Sequence, residues 1–373
     1  MSLFPAKYTR DSRIVLTLDA GGTNLIFSAF RGNRIIGDPV TRPTPALDLD
    51  QCLKTIVQGF ETVADQTGRI DAISFAFPGP ADYREGIIGD CPNLPCFRGG
   101  VALGSLLENR FRVPVFINND GDLFTYGEAM AGFLSKINTL MKENGWKKQF
   151  HHLLGITMGT GLGAGLVING DLHRGDNSLA SELWMVRHAE KEASFVEESV
   201  SIRGVRRMYA ELTGQAFSQT PNPQEIFGIA KGVRNGDRDA AVACFRQLGQ
   251  RIGYVLDSAN CLIDGLIVIG GGLSGSSEFF LPALIHEMNR PLRNQEGRTV
   301  KRPLEVFNLE DEVSCRRFLN GEYHNIPIYG TEQSLKVNTK KATGVGLSVL
   351  GTNRAIALGA AIYALRELDR IHG

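Results

Sequence analysis

Two glycine-rich turns, each lying between apolar segments, constrain the fold of this chain more than any other feature. The first turn, Asp19-Ala-Gly-Gly-Thr23, joins apolar runs at residues 14–18 and 25–30. The second turn, Met158-Gly-Thr-Gly-Leu-Gly163, again lies between two strand-like segments. Strand, glycine turn and strand together are typical of a β-hairpin. Two such hairpins, far apart in one chain, predict two related lobes that each present a glycine turn to a shared cleft.

The residues of the first turn also suit an anion and a metal ion. Gly21 and Gly22 lack the Cβ atoms that would keep a phosphate away from backbone N–H groups, and Thr23 adds a hydroxyl donor. The carboxylate of Asp19 is suited to holding a hydrated divalent cation. A plain hairpin with a capping aspartate is the alternative, because paired glycines are a common hairpin turn.

The letters of the second turn match a dinucleotide-binding motif. Gly159, Gly161 and Ala164 fit the pattern GxGxxA. That motif requires a helix directly after the glycines, whereas a strand-like segment follows here, so we reject it. The sequence also contains no Walker A, HExxH or GxSxG motif, which argues against P-loop nucleotide hydrolases, zincins and serine hydrolases.

A carboxylate follows the last predicted strand of the first lobe. Strand-like and helix-like segments alternate up to residue 117, which predicts a mixed sheet flanked by helices. Asn119 and Asp120 come just after the strand at residues 113–117, where open α/β sheets place their chemistry. The alternative is that Asn119 or Asp120 only caps the helix that follows.

The second lobe carries acidic residues and a further glycine run. Glu182, Glu197 and Glu198 lie close together in the sequence. A predicted buried strand ends in Gly270-Gly-Gly272, and glycines at a strand end permit the close approach of a flat ligand. Two polar or charged stretches are interpreted as insertions, the first helical and the second irregular, at residues 133–150 and 301–338.

Composition limits the partners and the compartment. A length of 373 residues suits two lobes with sizeable cores. Lysine plus arginine and aspartate plus glutamate number 40 each, without long runs of either sign, so the sequence indicates neither nucleic acid nor a membrane as partner. The six cysteines include no CxxC pair, which favours buried free thiols and a cytoplasmic protein.

Seven short motifs occur in a fixed order along the chain, namely Asp19-Ala-Gly-Gly-Thr23, Phe77-Pro-Gly-Pro80, Pro92-Asn-Leu94, Asn119-Asp-Gly121, Gly159-Thr-Gly-Leu-Gly163, Gly270-Gly-Gly272 and Ala357-Leu-Gly-Ala-Ala361. Together they resemble the motifs of the ROK family, whose members are bacterial sugar kinases, chiefly glucokinase-like, and sugar-responsive repressors. The resemblance implies an α/β fold of the hexokinase and actin type. Two ribonuclease-H-like lobes with mixed sheets flanked by helices would enclose the active site in the cleft between them.

The same resemblance implies domain limits. The N-terminal lobe would comprise residues 1–118, with the closing helix at residues 355–373 packed back on it. The C-terminal lobe would comprise residues 119–354, including both insertions.

Roles for individual residues are also implied by the resemblance. Asp120 would be the base that accepts the proton of the sugar hydroxyl, and Asp19 would place Mg²⁺ through water. The sugar ligands would be Asn93, Asn119, Asp120, Glu182 and Glu197. The ATP site would comprise Asp19, Gly21, Gly22, Thr23, Gly159, Thr160, Gly161, Gly271 and Gly272.

The chain departs from the family pattern where relatives bind zinc. The Gly-Glu-x-Gly-His stretch appears here as Ser181-Glu-Leu-Trp-Met185, and the CxCGxxGC motif is absent. A structural zinc needs four Cys or His ligands, and residues 181–201 offer only His188, so we expect no zinc. We interpret His188 as a solvated or hydrogen-bonded surface residue. The loop is expected to be held by packing of its apolar side chains, Leu183, Trp184, Met185, Phe195 and Val196.

The function that these features favour is ATP-dependent phosphorylation of a hexose or amino-hexose, with ATP and Mg²⁺ as cofactors. The alternative is a protein that senses a sugar without phosphorylating it. Residues 1–13 are too few for the helix-turn-helix that repressor members carry before the first hairpin. Asp19 and Asp120 are retained, which favours the kinase. The expected partner is a small sugar, and a homodimer is one possible assembly.

Overall fold

The computed structural model describes residues 6–21, 23–79, 81–91 and 94–373. These residues form two compact units. Unit 1 contains the chain up to Ser135 together with Ala164–Ser181 and Ser348–Gly373, and unit 2 contains Lys136–Gly163 and Glu182–Leu347. The chain therefore passes from one unit to the other four times.

Strands and helices alternate along most of the chain, as expected for an α/β protein. The strands are β1 (Ile14–Ala20), β2 (Asn24–Arg31), β3 (Arg34–Pro43), β4 (Ala72–Ala76), β5 (Ala81–Asp82), β6 (Ile87–Ile88), β7 (Val101–Ala102), β8 (Val115–Asn118), β9 (Leu153–Met158), β10 (Leu162–Ile168), β11 (Asp171–Leu172), β12 (Leu266–Gly270), β13 (Leu292–Arg293), β14 (Thr299–Val300), β15 (Glu305–Asn308), β16 (Tyr323–Pro327), β17 (Ser334–Asn338) and β18 (Ala342–Leu347).

The α-helices are α1 (Ala6–Thr9), α2 (Leu49–Thr67), α3 (Leu103–Phe111), α4 (Asp120–Ala131), α5 (Phe133–Glu143), α6 (Ile202–Thr213), α7 (Pro223–Ala230), α8 (Arg238–Ile263), α9 (Ser277–Met288), α10 (Glu312–Leu319) and α11 (Thr352–His372). Short 3₁₀ helices lie at Leu183–Met185, Val196–Glu198, Phe217–Gln219 and Gly272–Ser276. Within the described part of the chain, no helix is both long enough and apolar enough to cross a membrane.

The sheet of unit 1 is mixed. Its strand order is β3-β2-β1-β4-β8, with β1 antiparallel to β2 but parallel to β4, and β4 parallel to β8. Phe60 of α2 packs on the sheet, with ring centroids 5.1 Å from Phe27 and 5.7 Å from Phe75. Helix α11 packs on β1 and β4. Tyr363 of α11 contacts Phe116 of β8, with ring centroids 6.0 Å apart.

Unit 2 is built on parallel strands. β9 pairs with β12, β12 with β18, and β18 with β15. Strand β12 is buried throughout, as its unbroken apolar sequence requires. Helix α8 packs against α6, α7 and α9, and Phe245 of α8 stacks on Phe279 of α9 with centroids 6.2 Å apart. This core carries the second glycine turn at the end of β9.

The units do not coincide with the expected domain limits of 1–118 and 119–354. Helix α4 follows Asn118 directly, yet it belongs to unit 1 because it packs on α11. Compactness alone does not define where independently folding domains begin and end. The domain limits therefore stay a prediction.

Residues 301–338 are not irregular, and that part of the sequence interpretation is wrong. They contain β15, α10 and the antiparallel hairpin of β16 and β17. Strand β15 also pairs with β18 in the sheet of unit 2, so part of this stretch belongs to the core. Each element has only 4 to 8 residues, which is too short for an apolar period to mark it in the sequence.

The expectation of buried thiols holds for only half of the cysteines. Cys52, Cys91 and Cys244 are buried, whereas Cys96 and Cys315 are partly buried and Cys261 is exposed on α8. Burial raises the pKa of Cys52 and of Cys244 to about 12, so both thiols stay protonated at neutral pH.

A buried carboxylate fastens two chain segments within unit 1. Glu128 of α4 is buried and accepts hydrogen bonds from the N–H of Phe133 at 2.8 Å and the N–H of Leu350 at 3.0 Å. The hydroxyl of Ser348 donates to the same carboxylate. The chain first leaves unit 1 just after Ser135 and returns to it for the last time at Ser348. Glu128 therefore holds both of these connections on their unit 1 side.

Candidate active site

The parallel strands of unit 1 bring two carboxylates to one edge of the sheet. In the register of β1, β4 and β8, Asp19 lies opposite Ala76, and Ala76 lies opposite Asn118. Parallel strands end at a common edge, so Asp19 at the end of β1 and Asp120 just after β8 are close neighbours there. This arrangement was expected from the sequence for Asp120.

The electrostatics of this edge favour a proton on Asp120. Its side chain is open to solvent, yet the surrounding protein reduces the hydration of the carboxylate and raises its pKa. The N–H of Gly121, 2.9 Å from Oδ1, opposes this shift, and the negative charge of Asp19 adds to it. Desolvation likewise raises the pKa of Asp19. A carboxylate with a raised pKa accepts a proton more readily than an ordinary aspartate.

Asn119 caps helix α4, as one of the two sequence interpretations held. Its Oδ1 accepts a hydrogen bond from the N–H of Gly121 at 2.8 Å. Its Nδ2 donates to the hydroxyl of Tyr83 at 3.2 Å, and that hydroxyl donates to the carbonyl of Phe77 at 3.0 Å. Asp120 lies one residue farther, in the first turn of the helix. The cap thus fixes the backbone that presents Asp120.

In the first glycine turn, the hairpin itself uses some of the polar groups. The N–H of Gly21 donates to the carbonyl of Asn24 at 2.9 Å, and the hydroxyl of Thr44 donates to the carbonyl of Gly21 at 2.7 Å. Thr23 is exposed, and its carbonyl accepts from the N–H of Thr44 at 3.0 Å. The N–H of Gly21 is therefore engaged by its own turn. Two further expected site residues, Gly22 and Asn93, lie outside the described residues.

The second glycine turn is docked on the segment at residues 196–202. The N–H of Gly159 closes the turn on the carbonyl of Gly161 at 2.9 Å. The carbonyl of Gly159 accepts from the N–H of Ile202 at 2.8 Å, and the N–H of Leu162 donates to Oε2 of Glu197 at 2.9 Å. A Cβ added to Gly161 would lie 2.6 Å from the same Oε2. A Cβ at Gly161 would therefore displace the end of the Glu197 side chain, whereas the backbone conformation does not require glycine there, since Gly161 does not have a positive φ.

The glycine run after β12 has a structural explanation of its own. Gly271 has φ 85°, and a Cβ there would lie 2.3 Å from the carbonyl oxygen of Met158. The left-handed conformation and the close backbone contact both require glycine. A Cβ on Gly272, in contrast, would meet nothing within 4 Å. Of these two glycines, Gly272 leaves open the space that a ligand could use.

Glu182 begins a 3₁₀ turn in which packing is only partial. Its Oε2 accepts a hydrogen bond from the indole N–H of Trp184, whose ring meets that of Phe195 edge-on with centroids 5.8 Å apart. Val196 is buried, but Met185 is 49% exposed. The expectation that Met185 packs the loop is therefore wrong. A side chain in a one-turn helix can face solvent, which sequence composition does not reveal.

Hydrogen bonds to His188 hold this loop together. The side chain is buried, its Nε2 lies 2.8 Å from Oγ of Ser199, and its Nδ1 accepts from the N–H groups of Glu190 and Lys191, both at 3.1 Å. Because Nδ1 accepts two N–H groups, it carries no hydrogen. The ring is therefore assigned as the neutral tautomer with hydrogen on Nε2. Burial and the charge of Arg251 lower the pKa of His188. The interpretation of His188 as a surface residue is wrong, because a single polar residue carries no sequence signal of burial.

Zinc binding at this loop remains a matter for experiment. Among the described residues there is no group of three or more His, Cys, Asp or Glu side chains placed to hold a metal ion. The expected absence of structural zinc stays a prediction.

Sequence reasoning missed three contributors to these sites. Tyr83, which holds Asn119, lies in a segment without any periodic pattern. Ile202 contributes only its backbone N–H, so its side chain gives no signal in the sequence. The nearest signal is Ser201, a typical helix N-cap residue, which marks the start of α6. Glu128 is one acidic residue in a helix whose neighbouring residues are mostly buried, and only the structure shows what it binds.

Comparisons with known proteins agree with the fold and the motifs. The ROK family model matches residues 15–313. The crystal structure of glucokinase from Parabacteroides distasonis ATCC 8503 is 51% identical, covers 96% of this chain and 99% of its own, and superposes with a TM-score of 0.87. An N-acetyl-D-glucosamine kinase from Photobacterium profundum is 28% identical over 278 residues, which are 69% of this chain and 83% of the relative.

Some structural relatives were determined with ligands, and one of them contains both a sugar and AMPPNP. It is a ROK family glucokinase from Streptomyces griseus in complex with glucose and AMPPNP. It is 19% identical, superposes with a TM-score of 0.60 and covers 94% of this chain and 98% of its own. This similarity concerns the fold. The predicted fold, two α/β lobes with mixed sheets flanked by helices, is confirmed. Because the family model matches most of the chain, the protein belongs to the ROK family, as the seven motifs predicted.

Proposed function

We propose that this protein is an ATP-dependent sugar kinase that phosphorylates a hexose or an amino-hexose, in the manner of a glucokinase. The observation that carries the proposal is Asp120, a carboxylate with a raised pKa that lies just after β8, at the same sheet edge as Asp19. The 51% identity to a glucokinase supports the reaction, and the 28% identity to an N-acetyl-D-glucosamine kinase supports the range of sugars.

In this proposal Asp120 is the catalytic base. A sugar hydroxyl attacks the γ-phosphorus of ATP, a bond from the sugar oxygen to phosphorus forms, and the bond from that phosphorus to the ADP oxygen breaks. The hydroxyl proton passes to the carboxylate of Asp120, which later releases it to water. Phosphoryl transfer needs mainly positioning and charge stabilisation, so one well-placed base is sufficient.

The remaining residues position the two substrates. We assign the sugar to Asn93, Asn119, Glu182 and Glu197. We assign the phosphates and adenosine of ATP to Gly21, Gly22, Thr23, Gly159, Thr160, Gly161, Gly271 and Gly272. When bound, Mg²⁺ would neutralise phosphate charge, and the carboxylate of Asp19 is the hard oxygen ligand that such an ion prefers. Met185 occupies the histidine position of the family, so discrimination among hexoses should be weaker.

The function is tested by coupled detection of ADP release over a panel of hexoses and N-acetylhexosamines, with ATP and Mg²⁺. We expect sugar-dependent turnover with at least one member of the panel. Sugar binding without ADP release on any member would instead favour a non-catalytic sensor.

The role of Asp120 is tested by Asp120→Asn. We expect kcat to fall by roughly 10²–10⁴-fold, the usual effect of removing a positioned base, while sugar affinity changes little because the amide keeps the shape. The matched control is Asp65→Asn, an exposed carboxylate on α2 outside the site. Near wild-type turnover of Asp120→Asn on the best sugar would exclude Asp120 as the base.

The substitution Asp120→Asn should not destabilise the folded protein. The pKa of Asp120 is raised in the folded protein, so its ionised form is less favourable folded than unfolded, and this cost is present above the folded pKa. The neutral amide removes the cost at pH 7. Asp120→Asn should therefore melt no lower than the wild type in a thermal scan, which separates loss of chemistry from loss of structure.

A further inference from the structure

We propose that Glu197 is a positioning residue for the phosphate-binding turn at Gly159–Gly163, in addition to any contact it makes with sugar. The proposal rests on the proposed kinase function, and it assigns Glu197 an effect on nucleotide binding that its sugar role does not include. The carboxylate would then link the sugar loop and the nucleotide turn within unit 2.

One oxygen of Glu197 is already committed to the turn. Oε2 accepts the N–H of Leu162 at 2.9 Å, and it fills the space where a Cβ of Gly161 would otherwise lie. The side chain is partly buried, which strengthens a charge-assisted hydrogen bond relative to one in water. The other oxygen, Oε1, lies 3.8 Å from Nη2 of Arg203. Oε1 is therefore the oxygen that is not hydrogen-bonded to the turn.

The chain segment that follows Glu197 reinforces the same contact. Its carbonyl accepts the hydroxyl of Ser201 at 2.7 Å, and the Ser201 side chain caps α6 by accepting the N–H of Gly204 at 3.2 Å. The next residue, Ile202, donates its N–H to the carbonyl of Gly159 at 2.8 Å. The glycine turn is thus held at two points by a segment that is anchored to a helix start. Without the side-chain hydrogen bond of Glu197, this segment would hold the turn only through the backbone hydrogen bond from Ile202.

A positioned turn binds phosphate better than a loose one, because less conformational freedom is lost on binding. Glu197→Ala removes the acceptor for the Leu162 N–H. Glu197→Gln keeps an oxygen acceptor at the same position and removes the charge. Glu198→Ala is the matched control, because the neighbouring carboxylate pairs with Arg203 and Arg207 instead of the turn.

The experiment measures the Kd of Mg·AMPPNP by calorimetry in the absence of sugar, and the Kd of glucose in separate titrations. We expect Glu197→Ala to weaken AMPPNP binding about tenfold, the effect of losing one hydrogen bond to a charged acceptor. Glu197→Gln should recover most of that affinity, and Glu198→Ala should stay within about twofold of the wild type. If the wild type bound no AMPPNP, the kinase proposal itself would fail.

Two results would overturn the positioning role while leaving the kinase intact. One is wild-type AMPPNP affinity in Glu197→Ala together with weaker glucose binding, which would make Glu197 a sugar ligand only. The other is equal loss in Glu197→Ala and Glu197→Gln, which would mean that the accepting oxygen is not what the turn needs.

A double-mutant cycle with Gly161→Ala tests the same contact in a second way. It compares the effect of Gly161→Ala on the Kd of AMPPNP in the presence and in the absence of the Glu197 side chain. The new Cβ should displace the carboxylate of Glu197 and weaken AMPPNP binding in the wild-type background. In the Glu197→Ala background the same Cβ meets open space, so its effect should be much smaller. Additive effects of the two substitutions on the Kd would contradict the proposal. Thermal melting of each variant checks that the comparison is made on folded protein.

Discussion

At the scale of single residues, Asp19 and Asp120 illustrate how the edge of a parallel sheet gathers carboxylates. Asp19 lies near the end of β1 and Asp120 lies two residues beyond β8, and the register of β1, β4 and β8 brings both to one edge. Desolvation raises the pKa of both carboxylates, and the charge of Asp19 adds to the shift at Asp120. The interaction of two charges is mutual, so removing one charge should change the pKa of the other, and this change can be measured.

We expect Asp19→Asn to lower the pKa of Asp120, because a like charge is removed. The pKa of Asp120 in the wild type should lie above the ordinary value of about 4 for aspartate. A ¹³C NMR titration of the Asp120 carboxylate in both proteins, without nucleotide or Mg²⁺, measures this directly. Asp65→Asn serves again as the distant control. An unchanged or higher pKa in Asp19→Asn would show that the two groups do not interact.

Sequence reasoning reached Asp19, Asp120 and the glycine turns because each lies at the end of a largely apolar, strand-like run. It could not foresee which N–H groups the turns use internally. The N–H of Gly21 and of Gly159 are both engaged by their own hairpins. Such hydrogen bonds depend on turn geometry, which several backbone conformations of the same letters would satisfy differently.

At the scale of elements, hydrogen bonds and ring contacts hold the loop at residues 182–201. His188 joins Ser199 to the N–H groups of Glu190 and Lys191, and Trp184 contacts Phe195. The apolar residues of the loop were visible in the sequence, but the central role of His188 was not. A histidine is equally compatible with a solvated surface and with a buried acceptor, and only its neighbours decide between them.

The stability of this loop should depend on pH. The folded pKa of His188 is lowered by burial and by the charges of Arg251 and Lys191, while Glu190 opposes the shift. The neutral ring is therefore favoured in the folded state, and its contribution is present above the unfolded pKa of about 6.5 and is lost as the pH falls below it.

This dependence is measured by urea unfolding at pH 7.5 and pH 5.5. The free energy of unfolding should fall more steeply toward pH 5.5 in the wild type than in His188→Gln. The exposed His324, on β16, is the matched control as His324→Gln. Parallel pH dependence in the wild type and His188→Gln would show that His188 is not the titrating group.

The same loop should fold without zinc. Residues 181–201 contain no cysteine and one histidine, which is engaged on both ring nitrogens. We expect elemental analysis of the purified protein to find far less than one zinc per chain, and EDTA to leave the melting temperature unchanged. About one zinc per chain that survives the chelator would contradict this expectation.

At the scale of the whole molecule, the chain passes between its two units four times, so neither unit is one continuous segment. The alternation of elements made two α/β lobes predictable from the sequence. The assignment of α4 to unit 1 was not predictable, because it depends on packing with α11, more than 200 residues away. Likewise, β15 joins the sheet of unit 2 from a stretch that shows no apolar period.

Glu128 should contribute strongly to the stability of unit 1. In Glu128→Gln the new amide group must face at least one of the N–H donors of Phe133 and Leu350. We expect this buried mismatch to cost about 1–3 kcal/mol in the free energy of unfolding, measured with urea. Ser348→Ala, which removes a single donor, should cost less. A Glu128→Gln variant within about 0.5 kcal/mol of the wild type would show that the network contributes little.

The hydrogen bonds of Glu128 also carry a mechanical consequence. Phe133 lies just before the first exit of the chain from unit 1, and Ser348 and Leu350 follow its last return, more than 200 residues later. All three residues donate to one carboxylate, so a substitution at Glu128 would release both segments together. The two segments should therefore loosen in one step and not in two.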